Sequence, residues 1–226
     1  MKIGNAPCSW GVEFADDPRN PSWQDVLDQC AEAGFEGIDL GPVGFLPEDA
    51  DVLRDALAAR GLTLSSGVVF QPFHDPAAWD RTRDAVVRTG RSLAAQGARQ
   101  LVLIDSIAPE RTRTLGRPAD APQLDADAWA GFSSRLGEAA RIATEEFGLT
   151  ASIHAHAGGY CDFAEEHDRL LAEIDERLLK VCIDTAHATL AGMDPLALTE
   201  RYATRLAHVH LKDIDTVKKA AVVRDG

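Results

Sequence analysis

Three short apolar runs in this chain each end on side chains that could hold a metal ion: Ser152-Ile153-His154-Ala155-His156, Val181-Cys182-Ile183-Asp184-Thr185-Ala186-His187, and His208-Val209-His210-Leu211-Lys212-Asp213. Imidazole and carboxylate are the usual ligands of zinc, manganese, cobalt and iron. Three protein ligands leave positions open for water or a substrate oxygen. Each fragment alone is weak, because a lone strand histidine is more often a hydrogen-bonded core residue than a ligand. Three such ends on consecutive strands make a shared metal centre the expectation, with His154, Asp184 and His210 as its ligands.

Strand geometry gives these residues a direction. Alternate side chains point to opposite faces. Ser152, His154 and His156 therefore share one face, and Ala151, Ile153 and Ala155 the other. Cys182 and Asp184 oppose Val181 and Ile183; His208, His210 and Lys212 oppose Ala207, Val209 and Leu211. The apolar set suits packing beneath helices. The polar set must be paired or bind something to offset its desolvation.

The elements that position them alternate regularly. Strands are expected at 3–6, 37–40, 62–70, 100–105, 150–156, 180–184 and 207–211. Helices are expected at 22–33, 47–60, 75–96, 125–147, 163–174 and 194–202, with stops at Gly34, Gly61, Gly97 and Gly148. A long loop spans 106–124. Such alternation argues for a parallel sheet. No Gly-x-Gly-x-x-Gly follows any strand, which argues against a Rossmann-type sheet. Near-equal units with polar strand ends favour an α/β (β/α)8 TIM barrel, a fold that keeps its chemistry at the C-terminal ends of the strands. The chain supplies seven strands. The expectation is one TIM-barrel domain over 1–226 that lacks the eighth strand and helix.

Composition excludes several classes. The chain has 226 residues, 45% of them hydrophobic, enough for one sizeable core. Its net charge of −13 disfavours non-specific contact with nucleic acid or anionic membrane. Four scattered cysteines without a Cys-x-x-Cys pair suit a reduced intracellular protein. The N-terminus has no apolar h-region, and no run approaches the roughly 20 residues that span a bilayer. A cytoplasmic location without a membrane partner is expected.

The pattern Asn5-Ala6-Pro7-Cys8-Ser9-Trp10-Gly11, Gly37-Ile38-Asp39-Leu40-Gly41, Ile183-Asp184-Thr185-Ala186-His187 and His210-Leu211-Lys212-Asp213 resembles the xylose-isomerase-like TIM-barrel superfamily, the sugar phosphate isomerase/epimerase group. The resemblance runs along essentially the whole chain. It implies Asp184 and His210 as metal ligands, with the strand-five ligand at His154, and a fourth ligand, a glutamate on strand eight, that this chain does not contain. The implied cofactor is a divalent metal (Mn, Co, Zn or Mg). Many isomerases and epimerases of the group carry glutamate where His154 stands. The pattern His154-Ala155-His156-Ala157-Gly158 is closer to the inosose dehydratase branch.

The implied activity is isomerisation, epimerisation or dehydration of a sugar or cyclitol ketone through a metal-stabilised enediolate, with a slight preference for the lyase. Lys212 and His187 are the catalytic candidates. Trp10, Asp39, Phe70, His156 and His187 are candidates for substrate contact, with Phe73 as a further pocket wall. Helix-start, rim-packing or salt-bridge roles compete for each of them. His208 reads as structural. Glu13, His74 and the acidic stretches at Glu48, Asp49, Asp51, Glu165 and Glu166 read as solvated. Two other functions compete with this one. An apurinic-endonuclease-like phosphodiesterase wants a basic groove, which this acidic chain offers only at residues 111–117. A non-catalytic metal- or sugar-binding barrel is the third. For assembly, the resemblance implies dimers or tetramers.

Overall fold

The computed structural model describes residues 3–225; Met1, Lys2 and Gly226 lie outside the described residues. Seven parallel strands lie in chain order across one sheet: β1 (Gly4–Asn5), β2 (Gly37–Asp39), β3 (Thr63–Gln71), β4 (Gln100–Asp105), β5 (Thr150–His154), β6 (Leu179–Asp184) and β7 (Leu206–His210). Each parallel pair requires a crossover, and helices supply it. Among the described residues β7 does not pair with β1. The sheet is thus an arc of a (β/α)8-type barrel with two free edges.

The helices are α1 (Trp23–Glu32), α2 (Ala50–Ala58), α3 (Trp79–Ala95), α4 (Ala126–Arg141), α5 (Ala164–Glu173), α6 (Thr185–Leu190), α7 (Pro195–Arg201) and α8 (Thr216–Asp225). Caps fix several starts. Ser22 Oγ accepts Asp25 N–H at 3.1 Å, and Asp49 Oδ1 accepts the N–H groups of Asp51 and Val52 at 3.0 Å. The Asp49 cap starts α2 three residues later than the periodicity suggests. A 3-10 turn at Pro76–Ala78 precedes α3, and α4 gives way to a π-turn at Ile142–Glu146 where one continuous helix was expected. The sequence pattern does not mark helices α6 and α8. The first is too short for a helical period to register. The second carries no buried stripe, and Val217 on it is 79% exposed.

Packing follows the strand alternation. Leu101, Leu103, Ala151, Ile153, Val181 and Ile183 join the large core beneath the helices. Val68, Val102, Ile104 and Cys182 form a separate small cluster on the opposite, inner face of the sheet. The inner layer continues upward into polar groups, with Ser152, His154 and Asp184 all buried. No helix among the described residues is long and apolar enough to cross a membrane, and all four cysteines are free.

Helix α3 meets the end of the α4 segment through Gly90, where a Cβ would fall 2.6 Å from the Phe147 ring. Gly90→Val therefore forces the ring out of its seat. Thermal denaturation should show a loss of about 1–3 kcal/mol, the usual cost of overpacking. An unchanged midpoint would mean that the ring moves freely.

Candidate functional site

Asp184 ends β6 and caps α6 with the same carboxylate. Its Oδ1 accepts the N–H groups of Ala186 and His187, both at 3.0 Å. That bond pair fixes the plane of the carboxylate and turns Oδ2 toward the sheet's inner face. There His154 Nε2 lies at 3.2 Å, Lys212 Nζ at 2.8 Å and His210 Nδ1 at 3.7 Å. Burial opposes ionisation of Asp184, yet bonds from His154, His210 and Lys212 outweigh it and hold the carboxyl well below its usual range. Burial pushes His154 down to about 4, against the pull of Asp184, so its imidazole stays neutral.

His187 stands one helical turn beyond Asp184. Burial, then His156 and His154 beside it, push it down to about 3. Its Nδ1 accepts Ala157 N–H at 3.1 Å. Its ring lies 4.1 Å from that of His156 and 5.2 Å from that of His154. Among the described residues, the group whose ligand atoms converge within 4.8 Å is His154, Asp184 and His187. His210 sits beside it, with its ring 5.1 Å from that of His154. Strand β5 ends at His154, two residues before the expected end, so His156 sits in the following loop. Its Nδ1 faces Ala157 O at 3.0 Å, and its ring lies 5.1 Å from Phe70.

A neutral imidazole and an ionised carboxylate in one buried cluster are the protonation states that a divalent cation requires of its ligands. Lys212 Nζ, 2.8 Å from Asp184 Oδ2, stands in the place on this oxygen that a cation would take. The donor set fits a metal.

The remaining sequence candidates are more dispersed. Asp39 is buried, and both its oxygens are engaged, Oδ1 by Gly41 N–H at 2.7 Å and Oδ2 by the Ser66 hydroxyl at 2.7 Å. Trp10 is half-buried and donates its indole N–H to Gln29 at 2.7 Å. Phe70 is exposed at the mouth. Phe73 is fully buried in the large core, so it is not a pocket wall. His208 is half-buried, with its ring edge-on to His210 at 5.2 Å.

His74 and Glu166, expected to be solvated, are both paired. His74 Nδ1 bonds Asp105 at 2.8 Å, its ring lies 5.1 Å from Tyr160, and Tyr160 N–H also donates to Asp105. Glu166 is buried and pairs with both terminal nitrogens of the buried Arg111, at 2.6 and 3.0 Å. A signal for the first existed: Asp105 ends β4 as Asp184 ends β6. Its parity, however, is that of Leu101 and Leu103, so it faces the helix layer. Nothing in the sequence marked Arg111 as buried.

A profile of the xylose isomerase-like TIM barrel family matches residues 27–225. The chain is 28% identical over 232 residues to an inosose dehydratase of Clostridium perfringens, covering 100% of this chain and 75% of that protein. It is 32% identical to one of Geobacillus kaustophilus, covering 95% and 70%. Among solved structures, the IOLI protein with a binding zinc atom superposes with a TM-score of 0.74 at 12% identity, over 95% of this chain and 74% of that one.

Asp162, beside this site, provides a test of its burial. Desolvation lifts its carboxyl to about 6 from 3.8, against a bond from Gly158 N–H and the charge of Arg111. An acid raised on folding holds its proton more tightly when folded. Its contribution to stability is full below its unfolded value and is lost as pH rises through about 6. Asp162→Asn keeps the acceptor for Gly158. Urea denaturation should show the variant losing about 2–3 kcal/mol less than the parent between about pH 4 and pH 7. Parallel pH curves would refute this assignment.

Proposed function

We propose that this chain, which belongs to the xylose isomerase-like TIM barrel family, is a divalent-metal-assisted lyase that removes water from a cyclitol ketone of the inosose class. The buried His154–Asp184 pair at adjacent strand ends carries the reading. The inosose dehydratase relatives support the substrate class, and the zinc of the IOLI protein supports a metal. His154, Asp184 and His210 would hold the ion. A divalent metal supplies Lewis-acid stabilisation of the negative charge that builds on a carbonyl oxygen when the adjacent carbon loses its proton.

The chain's own residues carry the protons and the fit. Freed from Asp184 Oδ2 by the cation that would take its place there, Lys212 is the group that takes the α-proton at Nζ. Lys212 then returns that proton to the departing β-hydroxyl, which leaves as water. The substrate loses one water, and Lys212 ends as it began. Thr185 Oγ1 donates to Lys212 O at 2.6 Å and accepts Lys212 N–H at 2.8 Å, which fixes the backbone from which Nζ reaches. His156, His187 and Phe70 line the mouth beside it, and contacts of this kind orient a ring of hydroxyls. The chain's net charge of −13 gives no support to a phosphodiesterase on nucleic acid.

Two measurements test this. Manganese or cobalt titrated into the chain should bind at one site, and His154→Ala should weaken that binding by at least about 100-fold, the upper end for loss of a mere outer-shell partner. With metal, an inosose should give the absorbance of a conjugated ketone and a product lighter by one water. Lys212→Met should lower kcat by at least about 100-fold while metal affinity is kept. Proton exchange or epimer formation without water loss would replace the lyase by an epimerase. Absence of metal binding would sink both.

A further inference from the structure

The residues between β5 and α5 do more than connect them. Ala157 N–H is the donor to His187 Nδ1, and its neighbours are held from three directions. Gly158 N–H donates to Asp162 Oδ2 at 2.9 Å, and Gly158 O accepts Ala108 N–H at 2.8 Å. His156 N–H donates to Cys161 O at 2.8 Å. Gly158 has a φ of +84°, a conformation that favours glycine, and a Cβ on Gly159 would fall 2.8 Å from Asp105 O. The turn is therefore tight and pressed against the end of β4.

Its far end is clamped by a buried ion pair. Glu166 Oε2 accepts the N–H groups of Asp162 and Phe163 at 2.9 and 3.1 Å. Both Glu166 oxygens also take Arg111, which is 1% exposed. Arg111 reaches Pro122 O at 2.8 Å and lies 5.0 Å from the Tyr160 ring centroid and 5.2 Å from that of Phe163. Arg111 N–H in turn donates to Ala108 O at 2.9 Å, and Ala108 is the residue that holds Gly158 O. One route from the guanidinium, through Glu166 and Asp162, and one from the Arg111 backbone, through Ala108, thus both end on Gly158, the residue next to the amide that meets His187.

A nitrogen that accepts a hydrogen bond presents its lone pair, so the proton of a neutral imidazole must sit on the other nitrogen. We infer that Arg111, with Glu166 and Asp162, is a positioning residue that keeps Ala157 N–H on His187 Nδ1, so that His187 presents Nε2–H to a substrate oxygen and does not serve as a metal ligand. This deepens the reading given above and rests on it for the substrate. It separates His187 from the other two members of the converging cluster. His154 and Asp184 accept the cation, and His187 donates to the substrate.

The test is nuclear magnetic resonance on the whole chain labelled with nitrogen-15. The metal-free parent should show a scalar coupling across the hydrogen bond between Ala157 N and His187 Nδ1. Zinc should leave both that coupling and the Nε2 proton in place. Arg111→Met should abolish the coupling and speed exchange of the Ala157 amide by at least about tenfold, while amides of β5 and β6 keep their protection. Arg111→Lys should not rescue it, because one ammonium cannot reproduce the two-pronged pairing. If Arg111→Met does not fold, Glu166→Gln carries the same readout. Absence of the coupling in the parent, loss of the Nε2 proton on adding zinc, its persistence in Arg111→Met, or a loss of protection spread over the whole sheet would each overturn the inference. The coupling needs neither metal nor substrate, so failure to bind metal or to dehydrate an inosose sinks the proposed function and leaves this result standing.

Discussion

The carboxylate of Asp184 serves two structures at once, and the rest of the site depends on that division. One oxygen is saturated by the first N–H groups of α6. The other is thereby left facing the inner side of the sheet, with a fixed orientation, among His154, His210 and Lys212. A cap and a ligand would ordinarily make separate demands on a side chain. Here the cap supplies the rigidity that a ligand needs. It also favours ionisation, since backbone donors and the N-terminal end of a helix both stabilise negative charge.

Around this carboxylate the site is a low-dielectric stack of imidazoles. His154, His156 and His187 are all pushed toward neutrality, with burial as the first cause in each. Neutral rings can stand 4–6 Å apart without repelling one another. They also keep lone pairs and N–H groups available in the form that a cation and a hydroxylated ring can use. Buried atoms without a partner among the described residues include His154 Nδ1 and the Ser152 hydroxyl. Polar groups left unpaired in an interior are costly, and sites of function are where such cost is tolerated.

The rim is organised by pairs that cross between loops. His74 and Tyr160 meet on Asp105, and Tyr160 donates to Glu110 at 2.5 Å. Arg135, from α4, donates to Phe73 O and His74 O at 2.6 and 2.9 Å. The loops after β3, β4 and β5 therefore form one connected surface. Rigid loops on a rigid sheet are what a site needs to place side chains reproducibly.

By itself the sequence determined the parallel α/β architecture, all seven strands and the inward direction of His154, Asp184 and His210. These are consequences of local rules: a period of two in strands, 3.6 in helices, glycine at helix ends. The bounds of β4 at 100–105 are legible in the sequence because it is a plain apolar run with clear stops. Tertiary structure decided everything that rests on pairing between distant segments. It gave Asp105 its His74, and Glu166 its Arg111 across 55 positions of chain. It ended β5 at His154 and so moved His156 into a loop. It turned Lys212 onto Asp184, and brought Ala157 N–H to His187 Nδ1. A charged residue in sequence looks solvated until its partner is known, because burial of a charge depends on a counter-charge that no local period reveals.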